Sequence, residues 1–131
     1  MTLPPEAYNY IVNEEYFPDK AMIIKEGGHS TWVYIILKGK VKVRKKTRKG
    51  ILNLMTLKEG DTVGEMVLLH QDQGGRAVSF VADGPVQLGL LDSVRLTEDL
   101  NTLSPQLKKF ISTLASRLKD ATEQVVSIAI Q

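Results

Sequence analysis

A glutamate and an arginine on either side of a short polar loop are the residues whose types and spacing could do chemistry. Glu65 follows Gly64 within one apolar run, Arg76 opens the next, and the loop between them ends in two glycines. A carboxylate can accept hydrogen bonds from sugar hydroxyls, and a guanidinium can donate two parallel bonds to a phosphate. Backbone N–H groups of such a loop can complete an anion site. The pattern fits a pocket for a sugar phosphate, or else a hairpin whose Glu65 and Arg76 are surface charges or a structural ion pair.

Other reactive arrangements are missing from the sequence. It contains two histidines, His29 and His70, and neither has the spacing of a metal ligand. It contains no cysteine, which excludes thiolate metal sites and a thiol nucleophile. There is no Ser-His-Asp order and no nucleophile elbow. Trp32 lies in an apolar run and is expected in the core. We therefore expect a protein that is not an enzyme and that holds no metal.

The composition is that of an ordinary single globular domain, with 131 residues, 43% of them apolar and 24% charged. The first residues lack the basic and apolar regions of a secretion signal, and no apolar run is as long as a membrane span. We expect a soluble, cytoplasmic protein without a membrane partner. A net charge of +2 is too small to indicate nucleic-acid binding.

Short apolar runs separated by glycine-bearing or charged turns dominate the middle of the chain. Most of them begin about eight to twelve residues apart, which is typical of an all-β sandwich or barrel and, wrapped as two sheets, of a jelly roll. Before them, residues 4–16 predict a short helix or turn region, because two prolines suit a helix start. The predicted strands are 22–24, 32–37, 40–45, 51–57, 63–69, 77–81 and 86–91.

Strands 40–45 and 51–57 predict a hairpin with a basic tip. Strict alternation directs Val41 and Val43 to the core and the intervening bases to water. The tip could contact nucleic acid, an acidic partner or an anionic membrane, or it could only protect a sheet edge. The sequence has no aromatic residue among the bases to stack on nucleic acid, which favours the second reading. The basic tip residues are Lys45, Lys46, Arg48 and Lys49.

The C-terminal part changes to a helical period. Ser104 and Pro105 fit an N-cap followed by proline at the first helical position. At ~1.5 Å per residue, the helix would be longer than a small β domain, so we predict a parallel homodimer; packing of the apolar seam on the sheet is the alternative. The seam, with 3-4 spacing, consists of Ile111, Leu114, Leu118, Ala121, Val125 and Ile128.

Taken in order, these stretches resemble the cyclic nucleotide-binding domain, in particular the sensor domain of the bacterial catabolite activator and oxygen-responsive regulator family. Five stretches match from about residue 20 to the end: 23–27, 33–43, 57–65, 76–82 and 114–125. The resemblance implies a mainly β fold, a double-stranded β-helix (jelly roll) of about eight short strands. It also implies one domain, with an N-terminal helical segment 1–20, a jelly roll 21–103 containing a phosphate-binding cassette 63–82, and a C-terminal dimerisation helix 104–131.

The resemblance implies roles for single residues. Glu65 matches the carboxylate on the ribose 2′-hydroxyl, Gly64 the backbone close to the sugar, and Arg76 the guanidinium on the cyclic phosphate. Thr122 lies where a family hydroxyl reaches the purine across the dimer. The implied ligand is cyclic AMP or cyclic GMP, with cyclic AMP favoured because Ala77 instead of a hydroxyl follows Arg76, and no other cofactor is implied. The remaining predicted ligand-binding residues are Met66, Val67, Ala77 and Ser79.

The sequence departs from the family pattern at three places. Val67 stands where the family has Ala or Gly against the sugar, and Ala121 stands where the catabolite activator offers a purine-reading Thr. The loop from Glu65 to Arg76 is also one or two residues longer, lacks the usual proline and carries Asp72. These departures keep open a degenerate domain that only mediates dimerisation or protein interaction.

The implied function is regulatory, with nucleotide binding repositioning the cassette and the long helix and so shifting a pre-existing equilibrium. In the regulator family a DNA-binding domain follows that helix, whereas this sequence ends at Gln131. A stand-alone sensor and the sensor fragment of a transcription regulator therefore both stay open. We expect no DNA binding from these residues alone.

Overall fold

The computed structural model describes residues 5–69 and 74–131, which form a mainly β fold with a C-terminal helix, as predicted. Two 3₁₀ helices, Pro5–Tyr10 and Glu65–Leu69, accompany the strands, and we call the second the cassette helix. In chain order the other elements are β1 Ile11–Phe17, β2 Met22–Ile24, β3 Tyr34–Thr47, β4 Gly50–Leu57, β5 Thr62–Val63, β6 Ser79–Leu91, α1 Ser93–Asn101 and α2 Pro105–Ala129.

Two long strands organise the sheet, β3 with 14 residues and β6 with 13. The strand order is β1-β6-β3-β4, with β2 also on β6 and β5 also on β3. All these pairs are antiparallel. Each long strand has different short partners at its two ends, so the sheet wraps around its core in a manner consistent with a jelly roll.

The described residues form six strands, so the predicted count of eight is not confirmed. Predicted strands 32–37 and 40–45 fall largely on continuous β3, and 77–81 and 86–91 on β6. Gly39 and Gly84 adopt positive φ angles, +95° and +82°, and the β3–β6 register shifts between Ile36 and Lys40. The glycine near each break therefore bends the strand without ending it.

Two further segments differ from prediction. Residues 11–16 of the predicted helix or turn region 4–16 lie in β1, because the C-terminal half of β6 pairs with them, with Glu15 opposite Leu88; tertiary pairing overrides the local helix signals. Residues 63–69, predicted as a strand, leave the sheet after Val63, since Gly64 has a φ of +82° and the cassette helix follows. Residues 1–4 lie outside the described residues, and the division at 20/21 and 103/104 stays a prediction.

The core contains Val41 and Val43, as predicted, but not Trp32, whose side chain is 55% exposed. Trp32 precedes β3, and its ring contacts the edge of Tyr34 at 6.4 Å between centroids. Tyr34 itself is fully buried and donates a hydrogen bond to Glu15. Burial, followed by the negative charge and hydrogen bond of Glu15, raises the pKa of Tyr34, so the phenol stays a neutral donor linking β1 to β3.

Helix α2 begins as predicted, because the Ser104 side chain accepts a hydrogen bond from Leu107 N and Pro105 lies in the first turn. Its 25 residues give a length of about 37 Å. Of the predicted seam, Ile111 is half-buried, and Ala115 is the helix's buried residue. None of the helices in residues 5–69 and 74–131 is long and apolar enough to span a membrane. The exposed apolar side chains of α2, which we call the α2 stripe, are Leu107, Phe110, Leu114, Leu118, Val125 and Ile128.

Candidate functional site

Arg76 is the centre of the site, and its side chain is buried, with 3% exposed. Nε donates to the Ser30 carbonyl at 2.9 Å, Nη1 to the Gly64 carbonyl at 2.6 Å, and Nη2 to the Trp32 carbonyl at 2.6 Å. Hydrogen bonds from a charged donor are about twice as strong as neutral ones. The guanidinium therefore holds together the loop before β3 and the start of the cassette.

The backbone of Arg76 is held by the same loop. Gly27 N donates to the Arg76 carbonyl at 2.7 Å, and Arg76 N donates to the Gly28 carbonyl at 2.8 Å. Gly75 has a φ of +112°, and a Cβ there would lie 2.9 Å from the Gly27 oxygen. The sequence predicted only turns at Gly27-Gly28 and at Gly74-Gly75, although paired glycines also permit two backbones to come this close.

Gly64 lies directly against the guanidinium, and Glu65 follows it in the chain. A Cβ on Gly64 would lie 3.0 Å from the Trp32 oxygen and 3.1 Å from Arg76 Nη1, so only glycine fits without displacement. Glu65 begins the cassette helix and is half-exposed. Within the described residues, the ion pairs are Lys42–Asp83 and Lys45–Glu26. Glu65 thus follows the residue whose carbonyl accepts from Arg76, and within the described residues no ion pair joins Glu65 to Arg76.

We expect Gly64→Ala to lower the free energy of unfolding more than Gly84→Ala does. Both glycines have a φ of +82°, but a Cβ on Gly84 meets nothing within 4 Å. Backbone strain alone should cost Gly84→Ala about 1 kcal/mol, and crowding should add about 1–3 kcal/mol at Gly64. Urea unfolding of both variants measures the difference, and equal losses would contradict the crowded geometry.

Val67, which stands where the family pattern has Ala or Gly, is half-buried. It packs with Leu68 against the cluster of Val33, Ile35 and Leu91. The cassette helix also contacts α1 and α2. Met66 is half-buried in the same helix. The branched side chain of Val67 therefore contributes to the domain interior and connects the cassette to the helices.

The other predicted ligand-binding residues already have protein partners. The Ala77 carbonyl accepts a hydrogen bond from Lys45 Nζ at 2.8 Å, and the Ser79 hydroxyl accepts one from Glu26 N at 2.8 Å. The Thr122 hydroxyl donates to the Leu118 carbonyl within α2 at 3.0 Å. Contacts of Ala77, Ser79 and Thr122 with a ligand therefore stay predictions.

The loop from Glu65 to Arg76 is described only in part. Residues 70–73, which include His70 and Asp72, lie outside the described residues. In the part of the chain that is described, no three His, Asp or Glu side chains are grouped so that they could hold a metal ion.

The site thus consists of a buried arginine against a glycine–glutamate turn, in a β roll followed by a long helix. A family model described as "Cyclic nucleotide-binding domain" matches residues 14–102, more than half of the chain. The chain therefore belongs to the cyclic nucleotide-binding domain family, as its sequence motifs predicted.

Solved structures of other proteins have similar folds. The EAL enzyme Bd1971 in its cAMP-bound form has a TM-score of 0.74 at 27% identity, with 86% of this chain and 30% of that chain covered. The Thermus thermophilus catabolite activator protein has a TM-score of 0.69 at 26% identity, with 97% and 61% covered. The sensor domain of the transcriptional regulator DNR from Pseudomonas aeruginosa, at 19% identity, has a TM-score of 0.68, with 90% and 78% covered.

The chain thus spans less than a third of Bd1971. Comparison with curated protein sequences gave no match.

Proposed function

We propose that this chain is a sensor domain that binds a cyclic nucleotide, cyclic AMP in preference to cyclic GMP, and signals through α2. The observation that carries the proposal is the buried Arg76 guanidinium, whose Nη1 donates at 2.6 Å to the carbonyl of Gly64, the residue directly before Glu65. Bd1971, a structural relative, has been solved with cAMP and with cGMP. Ala77 after Arg76 offers no hydroxyl for guanine, which favours cyclic AMP.

The cyclic phosphate would lie on Arg76 and on the following peptide. Because the Arg76 carbonyl accepts from Gly27 N, a trans peptide directs the Ala77 N–H the opposite way, away from that loop. The guanidinium supplies charged donors to the same phosphate. Glu65 would accept from the ribose hydroxyl, and the close approach at Gly64 would leave room for the sugar backbone.

Signalling would follow from an exchange of partners on the guanidinium. A phosphate oxygen taking the place of the Ser30 or Trp32 carbonyl would release the loop before β3, so the two states would differ in affinity for the nucleotide. Because the cassette helix contacts α1 and α2, its movement would be transmitted to the C-terminal helix. At the far end of α2, Arg48 donates to the Ile130 carbonyl at 3.3 Å, which adds a contact from the β3–β4 hairpin.

The proposed signalling unit is a cytoplasmic homodimer. The α2 stripe places four predicted seam residues, Leu114, Leu118, Val125 and Ile128, on one exposed face, and exposed apolar patches of this kind mark interaction sites. In such a dimer, rotation of the Thr122 hydroxyl away from the Leu118 carbonyl would let it reach the purine in the partner's site.

Isothermal titration with cyclic AMP, cyclic GMP and 5′-AMP tests the proposal. We expect saturable binding of cyclic AMP, weaker binding of cyclic GMP, and little response to 5′-AMP, whose open phosphate carries an additional charge. Cyclic AMP at a hundred times its dissociation constant should stabilise the fold by about 2.7 kcal/mol. Absence of both heat and thermal shift at millimolar nucleotide would rule out the sensor.

A second candidate is a degenerate domain that mediates dimerisation or protein interaction without ligand. The observation in its favour is that Arg76 and the hydroxyls of Ser79 and Thr122 already bond to the protein. The same titration separates the two candidates.

A third candidate is the sensor part of a longer regulator, since the chain spans 61% of the Thermus thermophilus activator. These residues alone should give no salt-sensitive gel shift with DNA.

A further inference from the structure

Lys45 on β3 contacts both the loop before β3 and the cassette. Its Nζ atom donates to Glu26 Oε2 at 2.9 Å and to the Ala77 carbonyl at 2.8 Å. The Lys45 side chain is 32% exposed and that of Glu26 is 18% exposed. Both charges are therefore partly withdrawn from water, where an ion pair is screened less than on an open surface.

Glu26 extends this contact in two directions. Its Oε1 atom accepts from Lys46 N at 3.0 Å, and its own N–H donates to the Ser79 hydroxyl at 2.8 Å. Its neighbour Gly27 donates to the Arg76 carbonyl. Glu26 and Lys45 together thus join β3, the loop before it and the segment that contains Ala77 and Ser79.

The pair has a geometric and an electrostatic consequence for the site. Lys45 fixes the Ala77 carbonyl and thereby the peptide unit that follows the one proposed to face the phosphate. The Glu26 carboxylate adjoins the loop that holds Arg76, so its negative charge opposes an anion there, and the Lys45 ammonium offsets that charge. Loss of Lys45 would disturb both.

We propose that Lys45 is a positioning residue of the phosphate site, acting through the Ala77 carbonyl and by offsetting Glu26. This inference rests on the proposed function, because it concerns the same anion site. Lys45 itself touches no ligand; it determines where Ala77 lies and how much negative charge the phosphate meets.

Three variants test the inference: Lys45→Met, the double variant Lys45→Met/Glu26→Gln, and Lys46→Met as a matched control. Methionine retains most of the apolar stem of lysine. Lys46→Met removes the same charge from the next residue, whose contact with Glu26 is through the backbone and is retained. Each variant is titrated with cyclic AMP, and amide hydrogen exchange of residues 74–79 is measured without ligand.

We expect Lys45→Met to weaken cyclic AMP binding roughly tenfold, the effect of losing one charge-assisted hydrogen bond. Exchange of the 74–79 amides should become about tenfold faster, while the amides of β1 stay unchanged. The double variant should recover part of the affinity, because the charge opposing the phosphate is gone, and Lys46→Met should bind like the unmodified protein. A merely structural role for Lys45 does not predict this recovery.

Unchanged exchange in Lys45→Met would overturn the inference whether or not the protein binds nucleotide. Faster exchange with unchanged affinity, or equal losses in Lys46→Met, would overturn it as well. If the unmodified protein binds no cyclic nucleotide, the proposed function fails by that result, and the exchange of residues 74–79 still decides whether Lys45 positions the cassette.

Discussion

Replacing Arg76 by alanine should lower the free energy of unfolding by about 3–5 kcal/mol even without ligand, because three charge-assisted bonds are lost and the carbonyls of Ser30, Trp32 and Gly64 lose their partner. The same change should weaken cyclic AMP binding by more than tenfold, since the phosphate loses its guanidinium. Urea unfolding and isothermal titration measure the two effects separately.

Two further variants keep this prediction interpretable. Arg76→Lys retains the charge but cannot reach three carbonyls with one ammonium, so it should fold with a smaller loss of stability and still bind weakly. Arg44→Ala removes a single exposed bond to Asn53 and should change stability by about 0.5 kcal/mol or less. Unaltered stability of Arg76→Ala would show that the carbonyl contacts contribute nothing, and unaltered affinity would mean that the phosphate binds elsewhere.

The second large effect is expected from Leu118→Glu, which should make the proposed homodimer a monomer at micromolar concentration. Leu118 is 61% exposed near the middle of the α2 stripe, so the monomer tolerates a charge there. In a paired stripe the carboxylates of two copies would be buried without partners, which costs several kcal/mol. Sedimentation velocity measures the change in mass.

Ser116→Glu is the matched control, because it adds the same charge at an exposed position of α2 that lies outside the stripe. It should leave the dimer intact. A monomeric unmodified protein, or a dimeric Leu118→Glu, would contradict pairing through the α2 stripe. If Thr122 acts across the dimer, Leu118→Glu should also weaken nucleotide binding, whereas Ser116→Glu should not.

The sequence by itself determined the mainly β fold with its C-terminal helix, and the family. Strand alternation placed Val41 and Val43 in the core, the Ser104-Pro105 start of α2 followed from capping chemistry, and the ordered motifs predicted the cyclic nucleotide-binding domain. These features are readable because each depends on the type of a residue and its spacing to near neighbours.

The tertiary structure alone decided what those residues bond to. The carbonyls that accept hydrogen bonds from Arg76 belong to residues 46, 44 and 12 positions away in the sequence. Because every residue has a carbonyl, no side-chain type indicates which of them will bind the guanidinium. For the same reason the Lys45 contact with Ala77 was not predicted.

β1 likewise forms only because β6 is there to pair with it, and Val67 packs inward only because α1 and the Val33 cluster lie beneath the cassette helix. Glu65 and Arg76 were candidates from the sequence because a carboxylate and a guanidinium are side-chain types that suit a sugar phosphate. Their setting was not, because main-chain hydrogen bonds and long-range packing depend on where the folded chain places each backbone group.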